Sequence, residues 1–125
     1  MEDHKGPDRR KYFRVALPLL VSYNVVDVPQ EIKELYAKDI SGSGMRIPLI
    51  DNLAVGTLLK VELDLLKEEK KIQLDAKVIW VSPVPDDREY PYEAGIEFIN
   101  VDLADRIMIS NCVLYRAELL KGPYL

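Results

Sequence analysis

The chain has 125 residues, of which 48% are hydrophobic, and it carries a formal net charge of -4. This length fits one domain with a modest core, and the apolar content excludes disorder for the bulk of the chain. No uninterrupted apolar stretch approaches the roughly 20 residues that a membrane-spanning helix needs, and the acidic balance disfavours long polyanions such as DNA or RNA as partners.

The chain is predicted to have two parts. Residues 1–14 are predicted to form a flexible arm, and residues 15–125 are predicted to form a β-barrel with a C-terminal helix, as the pattern of residues along the chain indicates. The first eight residues are polar and lack the apolar centre of a secretory signal, which predicts a cytoplasmic protein. A basic cluster, Arg9-Arg10-Lys11-Tyr12-Phe13-Arg14, follows them. Because the positive charge is concentrated there, a compact anion fits the chain better than a long one.

The first half of the barrel region is predicted to contain three strands. The first has an apolar residue at every second position, and Pro18 on the opposite phase predicts an edge or a bulge there. Residues 32–40 alternate more weakly and lead into the turn from Asp39 to Gly44, after which a short third strand begins. The alternating residues are Val15, Leu17, Leu19, Val21, Tyr23 and Val25 in the first strand and Met45, Ile47 and Leu49 in the third.

Three further strands are predicted in the second half, separated by a charged hairpin tip at residues 67–71 and an exposed loop at residues 82–91. The fifth strand has Trp80 in phase with its apolar residues, which predicts a core position for the indole. The alternating residues are Val61, Leu63 and Leu65, then Ile72, Leu74, Ala76, Val78 and Trp80, and finally Tyr92, Ala94, Ile96 and Phe98.

A closing helix is predicted after Asn100, with Asp102 as its N-cap and Gly122-Pro123 as its stop signal. Its apolar face is predicted to comprise Leu103, Ile107, Leu114 and Ala117, with Met108 and Tyr115 beside them. Six short strands followed by one helix predict an all-β protein, a six-stranded antiparallel barrel with the helix packed over one opening.

The reactive side chains are too few for the usual catalytic or metal sites. His4 is the single histidine, and Cys112 is the single cysteine and falls in an apolar helical pattern, which predicts a buried thiol. Neither a serine or cysteine triad nor a typical zinc site can be assembled from them. We therefore expect a protein that is not an enzyme and that has no metal and no cofactor.

Two motifs carry a resemblance to a known family. Arg10 and Arg14, preceded by Arg9, form an RxxxR element, and Asp39, Ser41 and Gly44 form a (D/N)xSxxG element. In this order they resemble the PilZ domain family of cyclic di-GMP receptors, and later segments such as Gly95-Ile96-Glu97-Phe98 extend the resemblance to the start of the last helix. The resemblance implies a PilZ-type barrel with a C-terminal helix.

The motif residues suit the chemistry of that ligand. A guanidinium such as that of Arg10 or Arg14 can bond the O6/N7 edge of guanine in a bidentate manner or stack on its ring. Asp39 can accept hydrogen bonds from the guanine N1 and N2 donors, and Ser41 can donate to a phosphate or a ring acceptor. Taken alone, Asp39 and Ser41 would each be ordinary turn residues.

Two glycines complete the predicted set of site residues. Gly44 would let the backbone turn close beneath the ligand. The sequence is compatible with two roles for Gly95, which could line the site, as the family suggests, or accommodate a bulge.

The resemblance implies a bacterial receptor in which cyclic di-GMP orders the arm over the barrel and thereby changes a surface seen by a partner protein. Tyr12 and Phe13 are expected to anchor the arm, and Arg9 favours two ligands per chain over one. The main alternative is a ligand-free PilZ-like adaptor for protein contacts. A barrel for single-stranded nucleic acid, which needs aromatics along a basic groove, fits the acidic chain less well.

Overall fold

Seven β-strands and one α-helix make up the part of the chain that the computed structural model describes, residues 19–65 and 70–121. The predicted second strand is interrupted at Lys38, which explains why there are seven strands instead of six. The elements are β1 (Leu19–Val25), β2 (Lys33–Ala37), β3 (Asp39–Ile40), β4 (Gly44–Leu49), β5 (Leu58–Leu65), β6 (Lys70–Pro83), β7 (Tyr92–Ile99) and α1 (Leu103–Lys121).

The strands form one antiparallel sheet in the order β2-β1-β5-β6-β7-β4-β3. Strands β2 and β3 are at opposite ends of this order, yet only Lys38 separates them in the chain. The sheet must therefore curl until its two edges meet. The amide of Lys38 donates to the carbonyl of Arg46 in β4 at 2.7 Å at this junction. The result is a nearly closed barrel with one helix, as the sequence predicts.

The core follows the predicted alternation of the strands. Leu19, Val21 and Tyr23 of β1 are buried in the barrel, and Val21 is paired with Leu63 of β5, which is in turn paired with Ile72 of β6. Side chains from neighbouring strands thus share one buried interior. Burial of these apolar side chains is the main contribution to the stability of such a sheet. The residues predicted at positions 15, 17 and 18 lie outside the described part of the chain.

The hairpin tip between β5 and β6 is shorter than predicted, because Lys70 and Lys71 already belong to β6 and pair with Leu65 and Asp64. Residues 66–69 lie outside the described part. The predicted loop at residues 82–91 is also shorter than predicted, because Ser82 and Pro83 belong to β6 and pair with Glu93 and Tyr92. Within the loop, the Asp87 carboxylate accepts from the amides of Glu89 and Tyr90.

The predicted core position of Trp80 is wrong. The register between β6 and β7 shifts between Val78 and Trp80, so that Val78 pairs with Ile96 while Trp80 pairs with Gly95. This bulge inserts one residue and reverses the phase of β6. Trp80 is consequently 38% exposed on the outer surface of the barrel.

The helix begins as predicted but turns a different face to the core. Asp102 caps it, because its carboxylate accepts from the amide of Asp105 at 2.8 Å. The buried residues are Ile109, Cys112 and Val113, whereas the predicted residues Leu103, Ile107 and Leu114 are exposed. Of the other residues predicted on this face, Met108 is partly buried against the core, and the side chains of Tyr115 and Ala117 lie outside the described part of the protein. Within the described residues, no helix has the length and apolar character required to cross a bilayer.

Candidate functional site

The DxSxxG motif forms a tight turn between β3 and β4. The amide of Ser41 donates to the carbonyl of Gly44 at 2.8 Å, and the Ser41 hydroxyl lies 3.3 Å from the same carbonyl and 3.3 Å from the Ser43 hydroxyl. The Ser43 amide also donates to the Ser41 hydroxyl. Ser41 is buried, and these contacts all lie within the turn, so its side chain shapes the backbone of the motif.

Two other elements hold this turn from outside. The amide of Phe98 in β7 donates to the carbonyl of Ser43 at 2.9 Å. From the first turns of α1, the Arg106 guanidinium donates to the carbonyl of Gly42 at 2.9 Å. The turn is therefore fixed to both the sheet and the helix, and its backbone has a preset geometry.

Next to the turn, a row of four residues crosses the outer surface of the sheet from β3 to β6. Asp39 pairs with Arg46, Arg46 with Gly95, and Gly95 with Trp80. Directly opposed residues in a sheet point to the same side, and the flanking residues Ala94 and Ile96 are buried in the core. The row therefore places a carboxylate, a guanidinium, a glycine and an indole on one side of the sheet, where Asp39 is only 8% exposed and Gly95 is buried against the indole.

The charged members of this surface are already paired with one another. The Arg46 Nε atom lies 3.1 Å from an Asp39 carboxylate oxygen, and its Nη1 atom lies 3.7 Å from Glu93. Glu93 also accepts a 2.7 Å hydrogen bond from Lys38. Within the described residues, the buried Nε atom of Arg46 has no hydrogen bond, so its contact with Asp39 is a charge interaction and not a directed bond.

The two glycines predicted in the site, Gly44 and Gly95, are packed against different atoms. A β-carbon added to Gly44 would overlap the backbone carbonyl of Ile96 on β7, so Gly44 is needed for the close approach of β4 to β7. A β-carbon added to Gly95 would instead overlap the indole of Trp80. Gly95 is thus the partner of the bulge, and it also lies in the surface row. The structure therefore bears out the bulge interpretation, and a role for Gly95 in lining a ligand site stays a prediction.

The structure brings the predicted residues Asp39, Ser41, Gly44 and Gly95 together, while the predicted Arg9, Arg10 and Arg14 lie outside the described residues. Two neighbours were missed by the sequence reasoning. Arg46 alternates with the buried Met45 and Ile47, and this phase is a signal that it points outwards. No sequence signal places Trp80 there, because the bulge is not visible in the periodicity.

A cavity of about 600 Å³ lies elsewhere, on the outer surface of β1, β5 and β6, and contains none of the motif residues. Four of its polar side chains are engaged with each other, since Lys60 donates to Asp75 at 2.8 Å and Gln73 donates to Glu62 at 3.4 Å. We therefore take the surface row and the adjoining turn as the candidate site.

The family model described as PilZ domain matches residues 8–115. A comparison with curated proteins gave no match.

Several solved structures share the fold. One is the Bacillus subtilis inhibitor of motility MotI/DgrA, with a TM-score of 0.75 and 22% identity over 95% of this chain and 55% of that one. The PilZ domain of Escherichia coli YcgR with c-di-GMP has a TM-score of 0.71 and 19% identity over 91% of this chain and 95% of that one. The K. pneumonia MrkH-c-di-GMP complex has a TM-score of 0.75 and 25% identity over 92% of this chain and 55% of that one. The chain thus spans about half the length of the MotI and MrkH chains.

Proposed function

The chain belongs to the PilZ domain family, and we propose that it is a bacterial, cytoplasmic receptor for cyclic di-GMP and that it catalyses no reaction. The observation that carries this proposal is the intact DxSxxG turn beside the surface row of Asp39, Arg46, Gly95 and Trp80. Two of the solved structures with this fold, the YcgR domain and MrkH, are complexes with c-di-GMP.

The residues of the row match the parts of a guanine nucleotide. The Asp39 carboxylate can accept from the N1 and N2 donors that distinguish guanine from adenine. Trp80 offers an exposed indole on which a purine can stack. Arg46, whose Nε has no hydrogen bond within the described residues, can turn from Asp39 towards a phosphate or a guanine edge. Ser41 and Gly44 supply the backbone turn on which the ligand rests.

The charge of this surface supports a role for the arginine motif. Asp39 and Glu93 are balanced by Arg46 and Lys38, so these four side chains have no excess positive charge. Arg106, which donates to the carbonyl of Gly42, adds one cation beside the turn. Cyclic di-GMP carries two phosphates, and an anion of this kind requires additional cations. In the sequence, these come from Arg9, Arg10 and Arg14. We propose that they close over the ligand and that residues 1–14 become ordered as they do so.

Isothermal titration calorimetry with cyclic di-GMP tests the proposal, with GTP and cyclic di-AMP as controls. Arg10→Ala and Arg14→Ala should each weaken binding by about 5- to 150-fold, the equivalent of one lost bidentate guanine contact of about 1–3 kcal/mol. Arg88→Ala in the exposed loop before β7 is the matched control and should bind as the parent does. A parent that binds no cyclic di-GMP would identify the chain as the ligand-free adaptor instead.

The same titration measures stoichiometry. Two stacked ligands bring four phosphates together, and Arg9 can offset their repulsion or stack on an outer guanine. We expect a ratio near two for the parent that falls towards one in Arg9→Leu. A parent ratio of one would contradict this role of Arg9 but would leave the receptor assignment intact.

Hydrogen exchange tests the ordering step. Amides of residues 1–14 should exchange rapidly in the free protein and become protected on addition of cyclic di-GMP. Equal protection in both states would mean that the site is preformed and that binding produces its effect on a partner in another way.

A further inference from the structure

A carboxylate on β7, that of Glu93, adjoins the surface row. Glu93 precedes Gly95 by two residues in the same strand, so it lies on the same side of the sheet as the row. Its side chain is only 18% exposed, and within the described residues it contacts the cations of Lys38 and Arg46. A charge that is partly withdrawn from water acts more strongly on its neighbours than a fully exposed one. Glu93 therefore influences any anion that binds at the row.

The two cations are held unequally by Glu93. The Lys38 ammonium donates to one carboxylate oxygen at 2.7 Å, whereas Nη1 of Arg46 lies 3.7 Å from the other oxygen, which is too far for a hydrogen bond. The contact of Arg46 with Asp39, at 3.1 Å from Nε, also lacks hydrogen-bond geometry. Charge alone thus holds the guanidinium between these two carboxylates. A ligand oxygen at hydrogen-bond distance would bind it more strongly.

On this basis, and resting on the proposed function, we propose that Glu93 sets the affinity for cyclic di-GMP by competing with the ligand for Arg46. In the free protein, the Arg46 guanidinium stays between Glu93 and Asp39. When cyclic di-GMP binds, Arg46 leaves Glu93 for a phosphate or guanine oxygen, and Lys38 remains with Glu93. Glu93 is thus a positioning residue that acts through Arg46 and lowers the affinity.

Lys38 determines how strongly Glu93 competes. The main-chain amide of Lys38 donates to the carbonyl of Arg46 at 2.7 Å, which fixes the lysine beside that residue where the barrel closes. Its ammonium group offsets part of the Glu93 charge that would otherwise act on Arg46. Loss of the ammonium should therefore strengthen the hold of Glu93 on Arg46 and the repulsion of phosphate. The two members of one ion pair should affect affinity in opposite directions, which a general loosening of the site would not do.

Calorimetric titration with cyclic di-GMP tests the proposal. Glu93→Gln should bind about three- to tenfold more tightly than the parent, the size expected of a coupling between partly buried charges, and Lys38→Met should bind more weakly. When Glu93→Gln is already present, Lys38→Met should have little effect, because Lys38 acts through Glu93. Glu62→Gln is the matched control. It removes the same charge from β5, which pairs with neither β4 nor β7, and should bind as the parent does.

A second set of measurements tests the route through Arg46. Arg46→Gln should weaken binding, and in its presence Glu93→Gln should lose most of its gain in affinity. In the free protein, the Nε proton of Arg46 can be identified by NMR from its loss in Arg46→Gln. Its exchange with water should be faster in Glu93→Gln than in the parent. Far-ultraviolet circular dichroism verifies that each variant is folded.

Four results would overturn the proposal. Glu93→Gln that binds no more tightly than the parent would exclude competition. An equal gain in Glu62→Gln would assign the effect to net charge. A full gain in the presence of Arg46→Gln would mean that Glu93 acts on the ligand directly. Unchanged proton exchange would show that Glu93 does not hold Arg46. A parent that binds no cyclic di-GMP would refute the proposed function, and the exchange measurement, which needs no ligand, would then decide on the hold of Glu93 separately.

Discussion

The two site glycines should respond very differently to the addition of one methyl group. At Gly44, the new β-carbon would overlap the backbone carbonyl of Ile96 and lie 3.2 Å from its carbonyl carbon. Neither atom can rotate away, because β4 and β7 are paired along their length at this point. Gly44→Ala must therefore separate two strands or bend one. Overpacking of this kind costs about 1–3 kcal/mol, and we expect the upper end because the obstacle is backbone.

At Gly95 the obstacle is the Trp80 side chain, which is partly exposed and can change rotamer. Replacing glycine by alanine also restricts the unfolded chain, which stabilises the fold by about 0.4–1 kcal/mol where the geometry is compatible. Loss of the indole contact should offset this gain, so that the stability of Gly95→Ala stays within about 1 kcal/mol of the parent.

Urea unfolding followed by far-ultraviolet circular dichroism measures both effects without relying on Trp80 fluorescence. We expect the midpoint of Gly44→Ala to fall with an unchanged slope and its melting temperature to drop by roughly 10 °C. Trp80 fluorescence should change in folded Gly95→Ala and not in folded Gly44→Ala. The reasoning is refuted if Gly44→Ala is as stable as the parent, or if Gly95→Ala is the more destabilised of the two.

Three further predictions concern selectivity, capping and alkaline stability. Asp39→Ala should lose more discrimination between cyclic di-GMP and cyclic di-AMP than Arg10→Ala does, since we propose that the carboxylate accepts from the N1 and N2 donors that distinguish guanine from adenine. Competition titrations with both ligands test this, and a variant that still rejects cyclic di-AMP would contradict it. Asp102→Ala should lower the free energy of unfolding by about 1 kcal/mol through loss of the helix cap, whereas Asp86→Ala in an exposed loop should leave the urea midpoint unchanged. Burial, followed by the charge of a nearby carboxylate, raises the pKa of Tyr23 to about 12. Because the unfolded phenol ionises near pH 10, stability should fall by about 2–3 kcal/mol between pH 10 and pH 12, and a Tyr23→Phe variant that shows the same fall would assign it to other groups.

The strands could be predicted from sequence because the signal for each is local. In β1, the alternation of Leu19, Val21 and Tyr23 reports burial on one side of a pleated strand, and the structure buries these three residues. The split between β2 and β3 was not predicted, because it arises from closure of the sheet at Lys38. That closure depends on a contact with Arg46 in another strand, which a local pattern cannot reveal.

The composition of the surface row shows the same limit. Asp39 and Gly95 could be identified from motifs, but the position of Trp80 depends on the bulge opposite Gly95. A single inserted residue reverses the direction of every later side chain in a strand, so a periodicity that is continuous through residue 80 predicts the wrong side. Gly95 in the neighbouring strand leaves room for the indole, because a β-carbon at that position would overlap the Trp80 ring.

The rotation of α1 shows how a polar contact can decide between two apolar faces. The sequence pattern favours the stripe of Leu103, Ile107 and Leu114, yet Arg106 reaches across 64 positions of sequence to the carbonyl of Gly42. That bond requires Arg106 to face the turn, and helical spacing then brings Ile109 and Val113 against the barrel. Hydrophobic burial alone would not separate these choices, because either face could cover the opening. The contact that fixes the turn therefore also sets the rotation of the helix and leaves Leu103, Ile107 and Leu114 exposed.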